Sequence, residues 1–301
     1  MKLGLALPNN QGVERVMDLV HLAREAEDLG LTSVWVSEHL WHAEYVAKRL
    51  GDKPYHEPLT VLTAVATATR RVRLGTSVLI MPWHHPVRLA KTLASLDDLS
   101  EGRVDFGVGV AITEDEFRNL GVPFETRGRQ TDDALTAMRK LWTEAVPDHH
   151  GEFYAFEGLR FEPKPRQTGG PPVLIGGGAP AALRRVVTHG DGWHALGQSP
   201  RRLAESLEGL RQAWTDAGRD AGALKVSTRA VMEVLDSPFD RAAEDRPTLR
   251  GTRDEIAATM QAFADAGVQE IVVDANTPDL GKVRATMRAA LELVSEVAPL
   301  A

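Results

Sequence analysis

The sequence lacks cysteine altogether, which excludes disulfide bonds, a thiolate nucleophile and cysteine-ligated metals or clusters. It also lacks any apolar run near the roughly 18 residues of a membrane-spanning helix, and its short apolar start "KLGLAL" is not a signal peptide. A formal net charge of −7 leaves it without the basic surface that nucleic-acid binding needs. We therefore expect a cytoplasmic protein that binds neither membranes nor nucleic acid.

What the sequence does contain is a regular alternation of strand-like apolar runs with segments whose apolar residues repeat at helical spacing. Eight strand patterns occur without a linker between them, at residues 2–7, 33–37, 72–80, 104–110, 172–176, 192–197, 224–234 and 270–275. Because a helical pattern follows each strand, we predict one (β/α)8 TIM-barrel domain over residues 1–301, with an open doubly wound sheet as the alternative. Residues 144–170 break the alternation and are expected to form an irregular insertion with a hairpin before the fifth strand.

Barrels of this kind carry their functional sites on the loops that follow the strands. Arg229 and Asp274, which belong to the last two strand patterns, are counted among the candidate site residues. The fifth strand runs into three consecutive glycines, Gly176, Gly177 and Gly178, directly before a helix. Glycine allows a close approach to the backbone, and a helix N-terminus offers unpaired N–H groups with partial positive charge. The pattern therefore predicts a site for phosphate or another anion, with a simple chain reversal as the alternative.

The segment "SEHLWH" after the second strand places Glu38, His39 and Trp41 at the same end of the barrel. An adjacent carboxylate and imidazole can exchange protons near neutral pH, whereas a surface histidine without function is the plainer interpretation. We expect no metal site here, because the His39-x-x-His42 spacing lacks a third ligand on a helix.

Aromatic and imidazole side chains also follow the third strand, in the segment "MPWHHP". Trp83 and His84 belong to this segment. They either line a pocket for a flat ring or pack the rim of the barrel, and the residue types do not distinguish the two.

Two other chemistries find no support in the sequence. A Schiff-base aldolase needs a lysine near the C-terminal end of a barrel strand, whereas Lys2 and Lys225 stand where strands begin. The nucleophilic serine motif G-x-S-x-G does not occur either.

The order and spacing of these segments resemble those of the bacterial-luciferase-like flavin and deazaflavin oxidoreductases. The similarity extends over nearly the whole chain, through "KLGLALP", "AREAEDLGLTSVWVSEHL", "TRRVRLGTSVLIMPWHHPVRLAKTLASLDDLSEGRVDFGVGVA", "EFRNLGVPFETRGRQTDDAL", "VLIGGGAPAALRRVVTHGDGW" and "FADAGVQEIVV". The resemblance implies a barrel that binds the deazaflavin coenzyme F420 or FMN at its C-terminal mouth and pairs as a homodimer.

The resemblance also implies roles for particular residues. The segment "GTSV" is similar to the family's bulge in the third strand, where a non-prolyl cis peptide, here Ser77–Val78, backs the cofactor ring. Gly176–Gly178 would hold the cofactor phosphate, and His39 matches a histidine near the hydride-transferring carbon. We further expect Asp115 to form a hydrogen bond with the ring edge or the substrate.

Two departures from the family pattern bear on the substrate. In the sugar-phosphate dehydrogenases of this family a glutamate follows the glycines of the fourth strand, whereas Ile112 stands there in this chain. Their tryptophan shortly after the histidine is also displaced, and Trp41 is the nearest one here. We therefore do not expect a glucose 6-phosphate dehydrogenase.

These observations predict an F420-dependent oxidoreductase that transfers a hydride between the deazaflavin and an organic small-molecule substrate, above the Ser77–Val78 peptide. His39, oriented or charge-tuned by Glu38, would exchange a proton with the substrate. The residues expected to wall the substrate side are Trp41, Trp83 and His84.

Three alternatives stay open at this point. One is an FMN-dependent luciferase-like monooxygenase that uses reduced flavin and oxygen. The second is a flavin-binding homologue without catalytic activity, since one fold serves many functions. The third is a phosphate-binding barrel isomerase without redox chemistry.

Overall fold

The computed structural model describes residues 1–42, 44–158, 160–239 and 241–297. Its strands are β1 (Lys2–Ala6), β2 (Ser33–Val36), β3 (Arg73–Thr76), β4 (Leu79–Ile80), β5 (Val104–Gly109), β6 (His149–His150), β7 (Ala155–Phe156), β8 (Val173–Gly176), β9 (Gly192–Leu196), β10 (Lys225–Val234), β11 (Leu249–Gly251) and β12 (Glu270–Asp274). Its α-helices are α1 (Val16–Leu29), α2 (Glu44–Leu50), α3 (Pro58–Ala68), α4 (Pro86–Leu99), α5 (Glu114–Leu120), α6 (Arg127–Thr143), α7 (Pro180–His189), α8 (Pro200–Asp216), α9 (Arg253–Asp265) and α10 (Leu280–Val294).

The parallel strands close into a barrel. They pair in the order β10, β12, β1, β2, β3, β5, β8 and β9, and β9 pairs in turn with β10. This last pairing excludes the open doubly wound sheet and confirms the (β/α)8 prediction. β4 continues the third strand and pairs with β5, while β11 extends the sheet beside the end of β10.

The insertion before the fifth barrel strand contains the expected hairpin, formed by the antiparallel pair β6 and β7. Two short helices, α2 and α5, were not predicted, and they lie in the loops after β2 and β5. Each spans 7 residues, which is too short for the apolar spacing to distinguish it from a loop. Both loops lie at the C-terminal end of the barrel, where the site is expected.

Local sequence features account for several helix ends. α1 ends at Gly30, whose φ of 96° lies in the left-handed region that glycine tolerates. α9 begins with a capping box, in which Thr252 and Glu255 each accept a hydrogen bond from the other's backbone N–H. Within the described ranges, no helix combines the length and the apolar character needed to cross a membrane.

The barrel interior is packed with large side chains. Trp35 of β2 and His194 of β9 are fully buried, and their rings stack with centroids 4.8 Å apart. The indole of Trp35 fills the space beside Gly75 of β3, where a Cβ atom would lie 2.2 Å from the ring. These side chains fill the barrel interior as a packed core, and the site is expected at the mouth.

A buried carboxylate joins α1 to the start of the third strand. Glu27 accepts hydrogen bonds from the backbone N–H groups of Arg70, Arg71 and Val72, at distances from 2.5 to 3.1 Å. Burial is the largest influence on the pKa of Glu27 and raises it, but the backbone hydrogen bonds together outweigh it, so the pKa is lowered.

Replacing Glu27 with Gln should reduce the free energy of unfolding by about 2 kcal/mol at pH 7, because an amide cannot accept all of these hydrogen bonds. Since the folded-state pKa is lowered, this stabilisation is complete above the ordinary glutamate pKa of about 4.3 and is lost as the pH falls through the folded-state value. Urea denaturation of both proteins between pH 3 and pH 7 measures the difference.

Asp28→Asn is the matched control, because Asp28 is the next residue of α1 and its side chain is exposed. It should change the free energy of unfolding by less than about 0.5 kcal/mol. Equal losses in the two variants, or a loss at Glu27 that does not depend on pH, would contradict the assigned role.

Candidate functional site

The third barrel strand is interrupted at the barrel mouth by a cis peptide bond between Ser77 and Val78, at the position implied by the family resemblance. Val78 packs against two glycines of neighbouring strands. A Cβ atom on Gly109 would lie 2.8 Å from Val78 Cγ2, and one on Gly176 would lie 2.8 Å from Val78 Cγ1. The first glycine of the predicted anion loop is therefore needed to make room for Val78.

A buried histidine lies below this peptide. His194 Nε2 is hydrogen-bonded to Ser77 Oγ at 2.9 Å, and its Nδ1 to Ser227 Oγ at 2.8 Å. Burial, with a smaller effect from the charge of Arg229, lowers the pKa of His194 to about 3. The imidazole is therefore neutral and holds Ser77 in place through hydrogen bonds alone.

Arg229 of β10 supports the same peptide from another side. Its guanidinium donates hydrogen bonds to the carbonyl oxygen of Ser77 at 3.3 Å and to Ser37 Oγ at 2.5 Å. It also forms an ion pair with Asp274 at 2.7 Å. The strand pattern placed Arg229 and Asp274 at the barrel mouth, but it did not predict their contacts.

The other two glycines of the triple-glycine loop have structural reasons of their own. Gly177 has a φ of 94°, and a Cβ atom on Gly178 would overlap the side-chain amide of Gln198. Within the described residues, the N–H groups of Gly177, Gly178 and Ala179 donate no hydrogen bond, and all three residues are at least partly exposed. Free N–H groups directly before α7 form an arrangement that binds anions.

The acidic partner of His39 is Glu116. His39 Nδ1 lies 2.7 Å from Glu116 Oε2, and the other carboxylate oxygen accepts the N–H of Leu40 at 3.3 Å. The side chain of Glu116 is fully buried, whereas that of His39 is 20% exposed. A buried carboxylate that holds one ring nitrogen orients the imidazole for proton exchange through the other, as in a general acid or base, and that second nitrogen contacts the hydroxyl of Tyr45.

The expected pairing of His39 with Glu38 is therefore wrong. The carboxylate of Glu38 accepts the N–H of Ile80 at 2.7 Å and lies 2.8 Å from His84 Nε2. The physical reason is that consecutive side chains of a chain leaving a strand point in opposite directions. Glu38 thus links the end of β2 to β4, and His84 binds Glu38 rather than His39.

Asp115, which we expected to contact the ring edge or the substrate, binds backbone groups instead. Its carboxylate oxygens accept the N–H of Glu116 at 3.0 Å and the N–H of Glu44 at 3.4 Å. It therefore links the first turn of α5 to the first residue of α2. Its neighbour Glu116, one residue further along α5, is the one that reaches His39.

Three aromatic rings surround His39 edge-on. The ring centroids of Tyr45, Tyr55 and Trp83 lie 5.3, 5.7 and 6.0 Å from the imidazole centroid. Trp41, which was also expected to wall the substrate side, is 37% exposed at the same end of the barrel. Tyr45 and Tyr55 were not predicted, although two of the three tyrosines in the sequence follow the second strand closely.

Two of these rings carry buried polar atoms that lack a partner. Tyr55 OH and Trp83 Nε1 are buried and make no hydrogen bond with the residues that the structure describes. Burial raises the pKa of Tyr55, so its hydroxyl remains a donor. Unsatisfied buried donors are rare in proteins, and a pair of them beside His39 fits a polar ligand at the mouth.

Comparison with known proteins identifies the family of the chain. The sequence profile of the luciferase-like monooxygenases matches residues 1–246. The chain belongs to this family. A monooxygenase from Streptomyces bottropensis has a similar structure, with a TM-score of 0.82 and 25% sequence identity, over 98% of this chain and 99% of that one.

Relatives within the luciferase-like family use different cofactors. An uncharacterized protein of Mycobacterium tuberculosis is 33% identical over 74% of this chain and 88% of its own length. An F420-dependent glucose-6-phosphate dehydrogenase of Amycolatopsis mediterranei is 34% identical over 58% of this chain and 52% of its own. An FMNH2-dependent dimethylsulfone monooxygenase of Pseudomonas putida is 28% identical over 64% of this chain and 53% of its own length.

The Glu38–His84 pair gives the site a stability that depends on pH. Burial is the largest influence on His84 and lowers its pKa, but the hydrogen bond and charge of Glu38 outweigh it, so the pKa is raised. The stabilisation is therefore complete below the unfolded histidine pKa of about 6.5 and is lost as the pH rises through the folded-state value.

Replacing Glu38 with Gln should consequently cost on the order of 2 kcal/mol of unfolding free energy at pH 6 and clearly less at pH 9. Urea denaturation at both pH values measures this. Glu157→Gln is the matched control, because Glu157 lies 3.8 Å from His150 in an exposed pair. A cost at Glu38 that is equal at both pH values, or no larger than that at Glu157, would contradict the assignment.

Proposed function

We propose that this member of the luciferase-like family is an F420-dependent oxidoreductase that transfers a hydride between the deazaflavin and an organic small-molecule substrate. The observation that carries the proposal is the pair formed by Glu116 and His39, which stands among unsatisfied donors at the barrel mouth. A cytoplasmic location and homodimeric assembly stay predictions from the sequence.

The residues present fit such a cofactor. The free N–H groups of Gly177, Gly178 and Ala179 would hold its phosphate, as helix N-termini do. The Ser77–Val78 peptide would back the ring, because Val78 lies against Gly176 at the inner end of the same loop. When bound, the deazaflavin supplies a carbon that gives or accepts a hydride, a chemistry that side chains lack.

The protein's own contribution is to orient the reactants and to move a proton. Glu116 holds the imidazole of His39 through Nδ1 and so fixes its orientation. Proton transfer by such a positioned group contributes roughly 10²- to 10⁴-fold to a reaction rate. Such a group suits hydride chemistry with F420, because hydride transfer to or from an organic substrate leaves a proton to be placed.

An FMN-dependent monooxygenase is the second candidate, and the FMNH2-dependent relative from Pseudomonas putida supports it. The two functions differ in their use of oxygen, because deazaflavins react poorly with oxygen. Turnover that requires oxygen and reduced FMN would favour the monooxygenase. A homologue without catalytic activity would bind a cofactor and show no turnover in either condition.

Fluorescence titration of the protein with F420 and with FMN tests the proposal directly. F420 should bind at least about tenfold more tightly than FMN, a difference of roughly 1.4 kcal/mol. Ala179→Glu should weaken F420 binding by a further factor of about ten or more, because it places a negative charge beside the phosphate at an exposed position of the same loop.

Gly209→Glu is the matched control, because a Cβ atom on Gly209 meets open space and the residue is exposed on α8. It should leave the affinity for F420 unchanged. If neither cofactor binds, the proposal fails, and tighter binding of FMN would favour the monooxygenase.

Replacing His39 with Ala should leave F420 affinity within about threefold of the wild-type value and reduce turnover by at least about 10²-fold. Turnover is measured as bleaching or recovery of the deazaflavin absorbance with a substrate found by screening the loaded wild-type protein. Turnover at the wild-type rate would show that His39 does not exchange the proton.

A further inference from the structure

Tyr45 forms the outer end of a line of hydrogen-bonded side chains. Its hydroxyl contacts His39 Nε2 and lies 3.1 Å from Nδ1, and Nδ1 also binds Glu116. Exposure increases along the line, because the side chain of Glu116 is fully buried, that of His39 is 20% exposed and Tyr45 is 45% exposed. The line thus leads from a buried charge to the part of the mouth that a ligand can reach.

We propose that Tyr45 exchanges a proton with the oxygen of the substrate, and that the substrate is an alcohol or carbonyl compound with an apolar body. The proposal rests on the proposed function, which provides the deazaflavin as the acceptor or donor of the hydride. It adds the residue that contacts the substrate and the class of substrate.

The hydrogen bonds determine the direction in which protons move. Because the carboxylate of Glu116 accepts the proton on His39 Nδ1, Nε2 has a lone pair and accepts the hydroxyl of Tyr45. The phenol oxygen retains lone pairs that can accept a proton from a substrate hydroxyl. The arrangement is therefore poised to receive a proton from an alcohol.

The surroundings of Tyr45 keep its hydroxyl protonated. Burial is the largest effect, and the nearby charges of Glu116 and Asp115 add to it, whereas Arg49 opposes it; together they raise the pKa of Tyr45 to about 12. The phenol thus passes its proton to His39 only as it receives one from the substrate.

The proposed step balances as follows for alcohol oxidation. The carbinol C–H bond breaks, and a bound oxidised deazaflavin would supply the acceptor for its hydride and both electrons. The hydroxyl proton passes to the oxygen of Tyr45, while the proton of Tyr45 passes to His39 Nε2, and the C=O bond forms. His39 keeps its hydrogen bond with Glu116 throughout, and carbonyl reduction is the same step in reverse.

Exposed apolar side chains in the loops that carry His39 and Glu116 indicate an apolar substrate body. Leu40, Trp41 and Ile112 are 41%, 37% and 90% exposed in these loops. A substrate body that lies against them would remove apolar surface from water, which favours binding.

Nitrogen-15 NMR of the full-length, cofactor-free protein with labelled histidine tests the hydrogen-bonded line. His39→Gln identifies the His39 resonances among the 10 histidines. We expect a protonated Nδ1 and an accepting Nε2, and Tyr45→Phe should shift the Nε2 resonance and leave Nδ1 protonated. Tyr154→Phe is the control, because Tyr154 belongs to the insertion and its ring packs against that of His85. An unchanged Nε2 resonance in Tyr45→Phe overturns the proposal.

Turnover by the F420-loaded protein tests the contact with the substrate. Propan-2-ol, cyclohexanol and benzyl alcohol, with their carbonyl partners, serve as probes. Tyr45→Phe should lower kcat by about 10²-fold with KM and F420 affinity within about threefold, and Tyr154→Phe should change none of them.

Each other outcome overturns the proposal in a recognisable way. If the loaded wild-type protein turns over none of the probes, the substrate class is wrong. If Tyr45→Phe turns over the probes as fast as the wild type, Tyr45 exchanges no proton with the substrate and merely occupies the place where the substrate would lie. If F420 does not bind at all, the proposed function fails, and the NMR measurement still decides whether Tyr45, His39 and Glu116 form the line.

Discussion

The packing of Val78 against glycines is the constraint on which the barrel mouth depends. Gly109 and Gly176 leave room for this side chain, so the third strand can turn inward at Ser77. His194 and Arg229 then hold the turned segment by hydrogen bonds to the side chain and the carbonyl oxygen of Ser77. The glycines on one side and these polar groups on the other give the mouth a fixed floor, above which the loops of β2 and β5 place their side chains.

The fold could be predicted because its determinants are local. Each strand has a short apolar run, most helices have several turns of apolar spacing, and the end of α1 and the start of α9 follow from Gly30 and the Thr252 capping box. The location of the cis peptide followed from the family resemblance through the segment "GTSV". Among the α-helices of the described residues, α2 and α5 were missed, because two turns of helix carry too little pattern, and the short strand β11 was missed as well.

The candidate site could be predicted only in part, because its contacts are tertiary. The chain order suggested Glu38 as the partner of His39, whereas the partner comes from 77 residues further along the sequence. Similarly, Asp115 and Glu116 are neighbours on α5, and one residue along a helix turns a side chain by about 100°. Sequence could therefore indicate an acidic cluster after β5, but the choice between its members depends on how the barrel closes.

The two short helices at the mouth have an evolutionary consequence. Tyr45 is carried by α2 and Glu116 by α5, and Asp115 joins the helices through the N–H of Glu44. Insertions or exchanges in these loops leave the strand ladders untouched, because loops tolerate change far better than the elements they connect. Related barrels can therefore differ in what they recognise through changes in α2 and α5, while the floor of the mouth stays the same.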